Sequence, residues 1–268
     1  PLEQEILQGP MGDGERGLAR YRQARAAVCR AAQTVTRQLA AGRFALYKTE
    51  ASFGYEGGLP PVVLSLSDGR AVALRGRIDR IDRYDAPDAV YLRVIDYKSS
   101  RQDLDATRTW WGLQLQLLVY LDACVAALPG SKPAGAFYFY VADPVVESES
   151  DAQAYVETRL CEALRLRGLA LSDVSVVDAM DASAQGVSLP SLFTKAGDLR
   201  KTAKALDMAQ FTALMAHARG LAASLAQRIL DGETAIAPVR SGSTAACDYC
   251  DYAAICRFAV SDPDAPLR

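Results

Sequence analysis

Hydrophobic and polar residues alternate with a period of two along residues 44–98, which is the pattern of half-buried β-strands. Two alternating runs flank the dipeptide Asp68-Gly69, which is favoured in tight hairpin turns, and the sequence DAPD at residues 85–88 indicates a second turn. This part of the chain is therefore predicted to form three or four antiparallel strands in succession, the last at residues 89–98.

Helical segments are predicted before and after these strands. Three proline-free segments that end close to a glycine predict long helices at residues 15–41, 106–128 and 207–231. The aromatic, β-prone residues 134–144 predict the last strand of the core, and residues 145–200 carry only a weak helical signal around residues 151–166. This order of elements predicts an α/β fold in which helices flank a mixed sheet.

The length and composition indicate one large folded unit. The chain has 268 residues, half of them hydrophobic, which is enough to bury a sizeable core. We predict a single domain over residues 11–268, with a core at about 44–144, a helical elaboration at 145–235 and a cysteine-rich tail at 236–268. Residues 1–10 contain LQGP, which resembles the recognition site of a 3C-type protease used in expression vectors, so this segment is predicted to be vector-derived.

The overall charge does not indicate a nucleic-acid-binding protein, because the formal net charge is only −2. A local basic groove, or one contributed by a partner, is still compatible with DNA binding. No apolar run is long enough to span a bilayer and no secretory signal is visible. We therefore expect a cytoplasmic protein without a membrane partner.

The stretch YLRVIDYKSS, residues 91–100, combines an apolar strand with two opposite charges at its end. Side chains two apart on a strand share a face, so Asp96 and Lys98 lie together. Asp79 precedes Asp96 by seventeen residues across one turn, and adjacent strands are about 4.8 Å apart, so the two carboxylates can converge. Two hard oxygen ligands suit Mg²⁺ or Mn²⁺, with the Tyr97 backbone carbonyl as a third, and a neighbouring lysine can stabilise charge on a phosphate. The alternative is an ordinary ion pair at a strand end.

Gln116 and Tyr120 are four residues apart on the next predicted helix and therefore share a face. The neighbours of Gln116 in LQLQLLVY are apolar, which is unusual for a surface glutamine. These two residues are candidates for a second part of the same site. The alternative is a partly exposed amide on an amphipathic helix.

Three of the six cysteines lie within ten residues, at Cys247, Cys250 and Cys256. The spacing Cys-x2-Cys-x5-Cys gathers soft thiolate ligands, which suits zinc or an iron–sulfur cluster better than disulfide bonds. Cys29, in the first predicted helix, is a candidate fourth ligand. A small zinc-bound structural unit and an iron–sulfur cluster are both compatible with this spacing.

The segments GRIDRID, VIDYKSS, GLQLQLLVYLD and AGAFYFYVADP together resemble the RecB-like branch of the PD-(D/E)XK nuclease superfamily, and within it the C-terminal nuclease domains of AddB type. The resemblance covers residues 50–258. It implies a restriction-endonuclease-like core that hydrolyses DNA phosphodiester bonds with Mg²⁺ or Mn²⁺, as an exonuclease-type enzyme in double-strand break processing and recombinational repair. The implied partners are single-stranded DNA ends and an AddA-like helicase-nuclease subunit, in the bacterial cytoplasm.

The resemblance also implies roles for individual residues. Asp79 and Asp96 would be metal ligands, with the Tyr97 carbonyl beside them. Lys98 would be the catalytic lysine. Gln116 and Tyr120 would face the DNA as part of the catalytic set.

The resemblance further implies that Cys247, Cys250 and Cys256 join one upstream cysteine to hold a four-iron four-sulfur cluster in the full-length parent. The family's Cys-Pro-Phe motif and its histidine on the first core helix are not visible, and the one histidine of the sequence is His217. The chain is therefore expected to be an N-terminally truncated fragment. Glu50 would support the metal site, and a catalytically incomplete DNA-binding or subunit-docking module is the alternative function.

Overall fold

The computed structural model of the chain describes residue 9 and residues 14–147, 152–183, 186–241 and 244–258. Most of the segment predicted to be vector-derived, and the last ten residues of the predicted tail, lie outside these ranges. The division into core, helical elaboration and tail stays a prediction.

Most of the strands lie in one mixed sheet. The strands are β1 Ala45–Phe53, β2 Val62–Ser65, β3 Ala71–Leu74, β4 Gly76–Asp85, β5 Val90–Lys98, β6 Ser131–Tyr140, β7 Arg167–Leu171, β8 Ala205–Leu206, β9 Arg240–Ser241 and β10 Thr244–Ala245. In the described part of the chain the large sheet has six strands in the order β1-β4-β5-β6-β7-β8. Neighbouring strands within this sheet are antiparallel, except for the pairs β5–β6 and β7–β8, which are parallel.

Helices cover both faces of this sheet. They are α1 Gly14–Ala40, α2 Ala106–Trp110, α3 Gln116–Ala127, α4 Gln153–Ala163, α5 Val174–Met180, α6 Met208–Leu230 and α7 Ala253–Cys256, with a 3₁₀ turn at Ala246–Tyr249. Among the described residues, none of the helices is both long and apolar enough to cross a membrane. The predicted α/β fold with a mixed sheet between helices is confirmed.

The alternation along β5 separates two hydrophobic cores. Val94 faces the core on the side of α3 and α6, where Leu121 and Phe211 are buried, and we call this side the front face. Ile95 faces the opposite core with Val176 of α5, and we call this side the back face. Burying each of these apolar side chains stabilises the fold by about 1.5–3 kcal/mol.

The helix predicted at residues 106–128 is interrupted, so this prediction is wrong in its middle. α2 ends at Trp110 and α3 begins at Gln116, with Gly112 between them at φ +82°. A left-handed φ suits glycine, and it ends the first helix. The Gln114 side chain bonds the backbone of residues 103 and 105, which holds the interruption against the loop that follows β5.

Two predictions about strand pairing are also wrong. The strand predicted at residues 134–144 is not the last strand of the sheet, because β7 and β8 continue it beyond β6. The strands around Asp68-Gly69 form the predicted hairpin, but among the described residues β2 and β3 pair only with each other, and β1 pairs directly with β4. Hydrophobic alternation shows where a strand lies but not which strand it pairs with.

Candidate active site

The pairing of β4 with β5 brings Asp79 and Asp96 to the front face. Arg80 pairs with Ile95 across the two antiparallel strands, so the residues beside this pair are neighbours. The Tyr97 backbone N–H donates a hydrogen bond to Asp79 Oδ2, with an N···O distance of 2.8 Å. The Asp79 carboxylate is thereby fixed beside the end of β5 that carries Asp96.

A chain of polar contacts runs from Asp96 to α3. Lys98 Nζ lies 2.5 Å from Asp96 Oδ2 and donates to Gln116 Oε1 at 3.3 Å. Gln116 Nε2 in turn donates to the Tyr120 hydroxyl at 2.8 Å. The structure therefore brings together Asp79, Asp96, Lys98, Gln116 and Tyr120, although they come from two strands and a helix.

Burial controls the electrostatics of the Asp96 carboxylate. Asp96 is 3% exposed. This burial raises the pKa of Asp96; the Lys98 ammonium opposes the shift and the negative charge of Asp79 adds to it. Burial, with the charge of Asp96, also raises the pKa of Tyr138 to about 12, so this phenol stays protonated at neutral pH.

The oxygen atoms of the site suit a divalent cation. The buried Asp96 Oδ2 contacts the Lys98 ammonium at 2.5 Å, and this contact lowers the pKa of Asp96 against the effect of burial. Two carboxylates thus share one lysine, and a divalent cation would balance the remaining negative charge. The Tyr97 ring packs against Phe139 on the back face, so Tyr97 can offer only backbone atoms to the site.

The described residues contain no group of three or more histidine, cysteine, aspartate or glutamate side chains that could hold a metal ion. Asp79 and Asp96 alone fall below that number. Mg²⁺ commonly retains several water ligands and binds through one or two carboxylates plus substrate phosphates. Two carboxylates and a backbone carbonyl are therefore compatible with Mg²⁺ or Mn²⁺.

A cleft of about 870 Å³ opens beside this cluster. Its lining includes Lys98, Gln116 and Tyr138, and Arg101 and Arg108 add positive charge to it. The interruption between α2 and α3 forms part of its wall, because residues 113–115 also line it. This cleft could not be predicted from the sequence, because it depends on a helix break and on the parallel pairing of β5 with β6.

The predicted cysteine site is not assembled in the described part of the chain. Cys247, Cys250 and Cys256 are free thiols, as is the exposed Cys29 of α1. They do not form a group that could hold a metal ion. The zinc or iron–sulfur site stays a prediction.

Two other residues have surroundings that the sequence did not indicate. Glu50 has a left-handed φ of +48° and its exposed carboxylate pairs with Arg77 at 3.6 Å, not with the Asp79–Asp96 pair. The His217 ring stacks on Trp110, with the ring centroids 3.9 Å apart.

Comparison with known proteins agrees with this architecture. Residues 2–257 match the sequence pattern of the PD-(D/E)XK nuclease superfamily. The chain is 37% identical over 236 residues to an ATP-dependent helicase/deoxyribonuclease subunit of Alkaliphilus oremlandii (strain OhILAs), and the match covers 85% of this chain and 21% of the relative. It is 35% identical over 242 residues to the protein of the same name from Geobacillus kaustophilus (strain HTA426), covering 86% of this chain and 21% of that relative.

A protein of the same name from Acetivibrio thermocellus matches over 266 residues, with 32% identity, 95% coverage of this chain and 23% coverage of the relative. The chain thus spans about a fifth of the length of these curated relatives. The family match, in contrast, extends over nearly the whole chain. The chain therefore belongs to the PD-(D/E)XK nuclease superfamily.

Proposed function

We propose that this chain hydrolyses phosphodiester bonds in DNA at the Asp79–Asp96–Lys98 cluster, using Mg²⁺ or Mn²⁺. The observation that carries the proposal is the pair of carboxylates, Asp79 and the buried Asp96, beside Lys98 and next to a cleft. A bound divalent cation supplies Lewis-acid polarisation of the phosphate and a more acidic attacking water.

The protein side chains position and neutralise the reacting groups. Asp79 and Asp96 hold the cation, with the Tyr97 carbonyl as a further ligand. Lys98 is a point charge 2.5 Å from Asp96, placed to stabilise negative charge that develops on the phosphate. Its contact with Gln116, which Tyr120 holds in turn, directs the ammonium toward the cleft.

The larger assembly is inferred from the relatives. They are named as subunits of an ATP-dependent helicase/deoxyribonuclease, and each is several times as long as this chain. We infer that this chain is the nuclease part of such a protein, acting on single-stranded DNA ends next to an AddA-like helicase-nuclease subunit in double-strand break repair. The cysteine tail would then hold a four-iron four-sulfur cluster in the full-length parent.

The test is cleavage of a labelled single-stranded oligonucleotide with Mg²⁺ or Mn²⁺. Asp96→Asn and Lys98→Gln are each expected to slow cleavage by about 100-fold or more, and chelation of the metal should abolish it. Asp88→Asn is the matched control, because Asp88 lies in an exposed pair with Lys132 beyond the opposite end of β5.

Unchanged cleavage rates in both variants would refute the proposal. A chain that binds DNA equally with and without metal and never cleaves it would instead be a binding or docking module on a nuclease fold. Circular dichroism of each variant shows that the comparison is made between folded proteins.

A further inference from the structure

A second cavity, of about 300 Å³, lies beside the first half of β7. Its lining contains three cationic side chains, Arg165, Arg167 and Lys204. It contains two carboxylates, Asp103 and Glu162. Glu162 pairs with Arg159 and lies 3.9 Å from Arg165, so these charges are partly matched locally. Arg167 and Lys204 share the remaining carboxylate.

Asp103 connects the two cavities. Its side chain bridges the cations of the smaller one: Oδ2 lies 3.3 Å from Arg167 and Oδ1 lies 3.3 Å from Lys204. The same residue also lines the large cleft beside Lys98. The two cavities therefore share the Asp103 side chain, and the apolar lining of the smaller one, which includes Phe137 and Leu166, belongs to the back-face core.

The charges around Asp103 are incompletely satisfied. Arg167 Nε is buried and has no hydrogen-bond partner among the residues that the structure describes. Both contacts of Asp103 are longer than the 2.7–2.9 Å of a strong charge-assisted hydrogen bond. Two cations thus share one carboxylate at suboptimal distances, with one guanidinium donor unused.

The sheet register aligns Arg167 with the proposed metal-binding residues. Asp96 pairs with Tyr138 on β6, and Tyr138 pairs with Arg167 on β7. Paired residues share a face of the sheet, so the three form a row across two strand spacings, about 10 Å. The row leads from the proposed metal site to Arg167, and Tyr138 is the uncharged residue between them.

We propose that Arg167 and Lys204 form a second binding position for a backbone phosphate of single-stranded DNA, and that the Asp103 carboxylate occupies this position when DNA is absent. The inference rests on the proposed function, since it concerns the same DNA strand. An entering phosphate displaces Asp103 and offers more acceptor oxygens to the two cations. The strand then runs over Tyr138 to the metal site.

Removing the charge of Asp103 is predicted to strengthen DNA binding, whereas removing the charge of either cation is predicted to weaken it. Binding of a labelled oligothymidylate by this chain is measured by fluorescence anisotropy in EDTA, so that no cleavage occurs. Asp103→Asn is expected to tighten binding by roughly two- to fivefold, whereas Arg167→Gln and Lys204→Gln weaken it by a similar factor. Each cation variant should also lower the slope of log affinity against log salt by about 0.7.

The exposed pair of Asp88 and Lys132 provides matched controls with the same charge changes. Asp88→Asn and Lys132→Gln are expected to alter affinity and salt slope much less than the cavity variants. Equal effects of the two sets would mean that only the net charge matters, and would overturn the proposal.

Weaker binding by Asp103→Asn would also overturn the proposal, because Asp103 would then serve only to hold the two cations in place. Lys204→Gln keeps the test decisive if another variant is unstable, since Lys204 is about half exposed. The proposed function can fail on its own. If the chain does not cleave DNA in Mg²⁺ but its variants still change oligonucleotide affinity in the predicted directions, the phosphate-binding position is supported and the nuclease activity is not.

Discussion

Strands β4 and β5 carry a charged cluster on each face, and the two clusters differ in burial and composition. The front cluster has two carboxylates, Asp79 and Asp96, with Lys98, and it borders a cleft. The back cluster reverses this ratio, with one carboxylate, Asp82, between two arginines, Arg80 and Arg93.

The back cluster is closed to solvent and its carboxylate is held by short contacts, although Nη1 of both arginines is buried without a hydrogen-bond partner among the described residues. Asp82 and Arg93 are 0% exposed and Arg80 is 2% exposed. Arg80 donates two hydrogen bonds of 2.7 Å to the two oxygens of Asp82, and Arg93 Nε donates a third at 2.9 Å. Burial lowers the pKa of Arg93. Burial is also the largest influence on Arg80 and acts to lower its pKa, but the hydrogen bonds and charge of Asp82, together with Tyr97, outweigh it and raise the pKa of Arg80.

The comparison shows that the same residue types serve different purposes on the two faces. In the back cluster both oxygens of the Asp82 carboxylate accept hydrogen bonds from arginine side chains, and the carboxylate is closed to solvent. In the front cluster two carboxylates share the single ammonium of Lys98, and the cluster borders a cleft. We therefore expect substitutions in the back cluster to change the stability of the protein and substitutions in the front cluster to change its activity.

The largest expected effect is on stability. Asp82→Asn should lower the free energy of unfolding by about 3–5 kcal/mol, because it leaves two buried guanidinium groups without a counter-charge. Urea denaturation measures this loss. Asp79→Asn, on the same strand and in the same Arg-Ile-Asp context, should change stability by less than about 1 kcal/mol; equal losses would erase the distinction between the clusters.

Asp79→Asn should instead remove most of the activity. Loss of one of two carboxylate ligands is expected to slow cleavage of single-stranded DNA by about 100-fold or more. Asp85→Asn is the control, since Asp85 lies on the same strand in a pair with Arg83. A variant at position 79 with normal cleavage rates would show that the front cluster does not bind the catalytic metal.

The pH dependence of stability should carry the signature of Asp96. Its pKa is raised in the folded protein, mainly by burial. Folding therefore favours the protonated form: this contribution is complete below the unfolded pKa of about 3.9 and is lost as the pH rises through the higher folded pKa. In metal-free protein, the wild type should thus gain stability relative to Asp96→Asn as the pH falls. The measured quantity is the difference between their free energies of unfolding.

Asp88→Asn gives a control of opposite sign. The hydrogen bond from Lys132 lowers the pKa of Asp88, so its contribution is present above the unfolded pKa and is lost as the pH falls through the folded pKa. Urea denaturation across the acidic range measures both differences. Trends of the same direction for the two variants would contradict the assignment of the Asp96 shift to burial.

The smallest expected effect is that of Tyr120→Phe. It removes the hydroxyl that accepts from Gln116 Nε2, so Gln116 holds the Lys98 ammonium less firmly. We expect a decrease of roughly two- to tenfold in kcat, with little change in unfolding free energy. Tyr91→Phe also removes one side-chain hydrogen bond, to Asp88, but far from the cleft, and should leave kcat unchanged.

The convergence of Asp79 and Asp96 could be predicted because it depends on local signals. A turn at residues 85–88 joins two alternating strands, and their pairing brings the carboxylates together. Helical periodicity also predicts that Gln116 and Tyr120 share a face of one helix, and the interruption before α3 does not change this because both residues lie within α3.

Features that depend on distant pairing could not be predicted in this way. The parallel contact between β5 and β6 places Tyr138 beside Asp96, yet a parallel crossover leaves no turn motif between the two strands. The burial of Arg80 and Arg93 could not be predicted from the sequence either, because charged residues at alternate strand positions normally indicate a solvent-exposed face. Only the helices on the back face make that side an interior.

The Arg-Ile-Asp repeat of β4 links the two clusters during folding. A strand has a period of two and the repeat has a period of three, and Asp79 lies beside the end of β5 on the front face while Asp82 lies in the back cluster. A slip of one residue between β4 and β5 would bury the wrong aspartate and leave Arg93 unpaired in the core. Mispaired chains should therefore fail to fold rather than accumulate as inactive protein, so the fraction of active molecules in a preparation should equal the fraction that is folded.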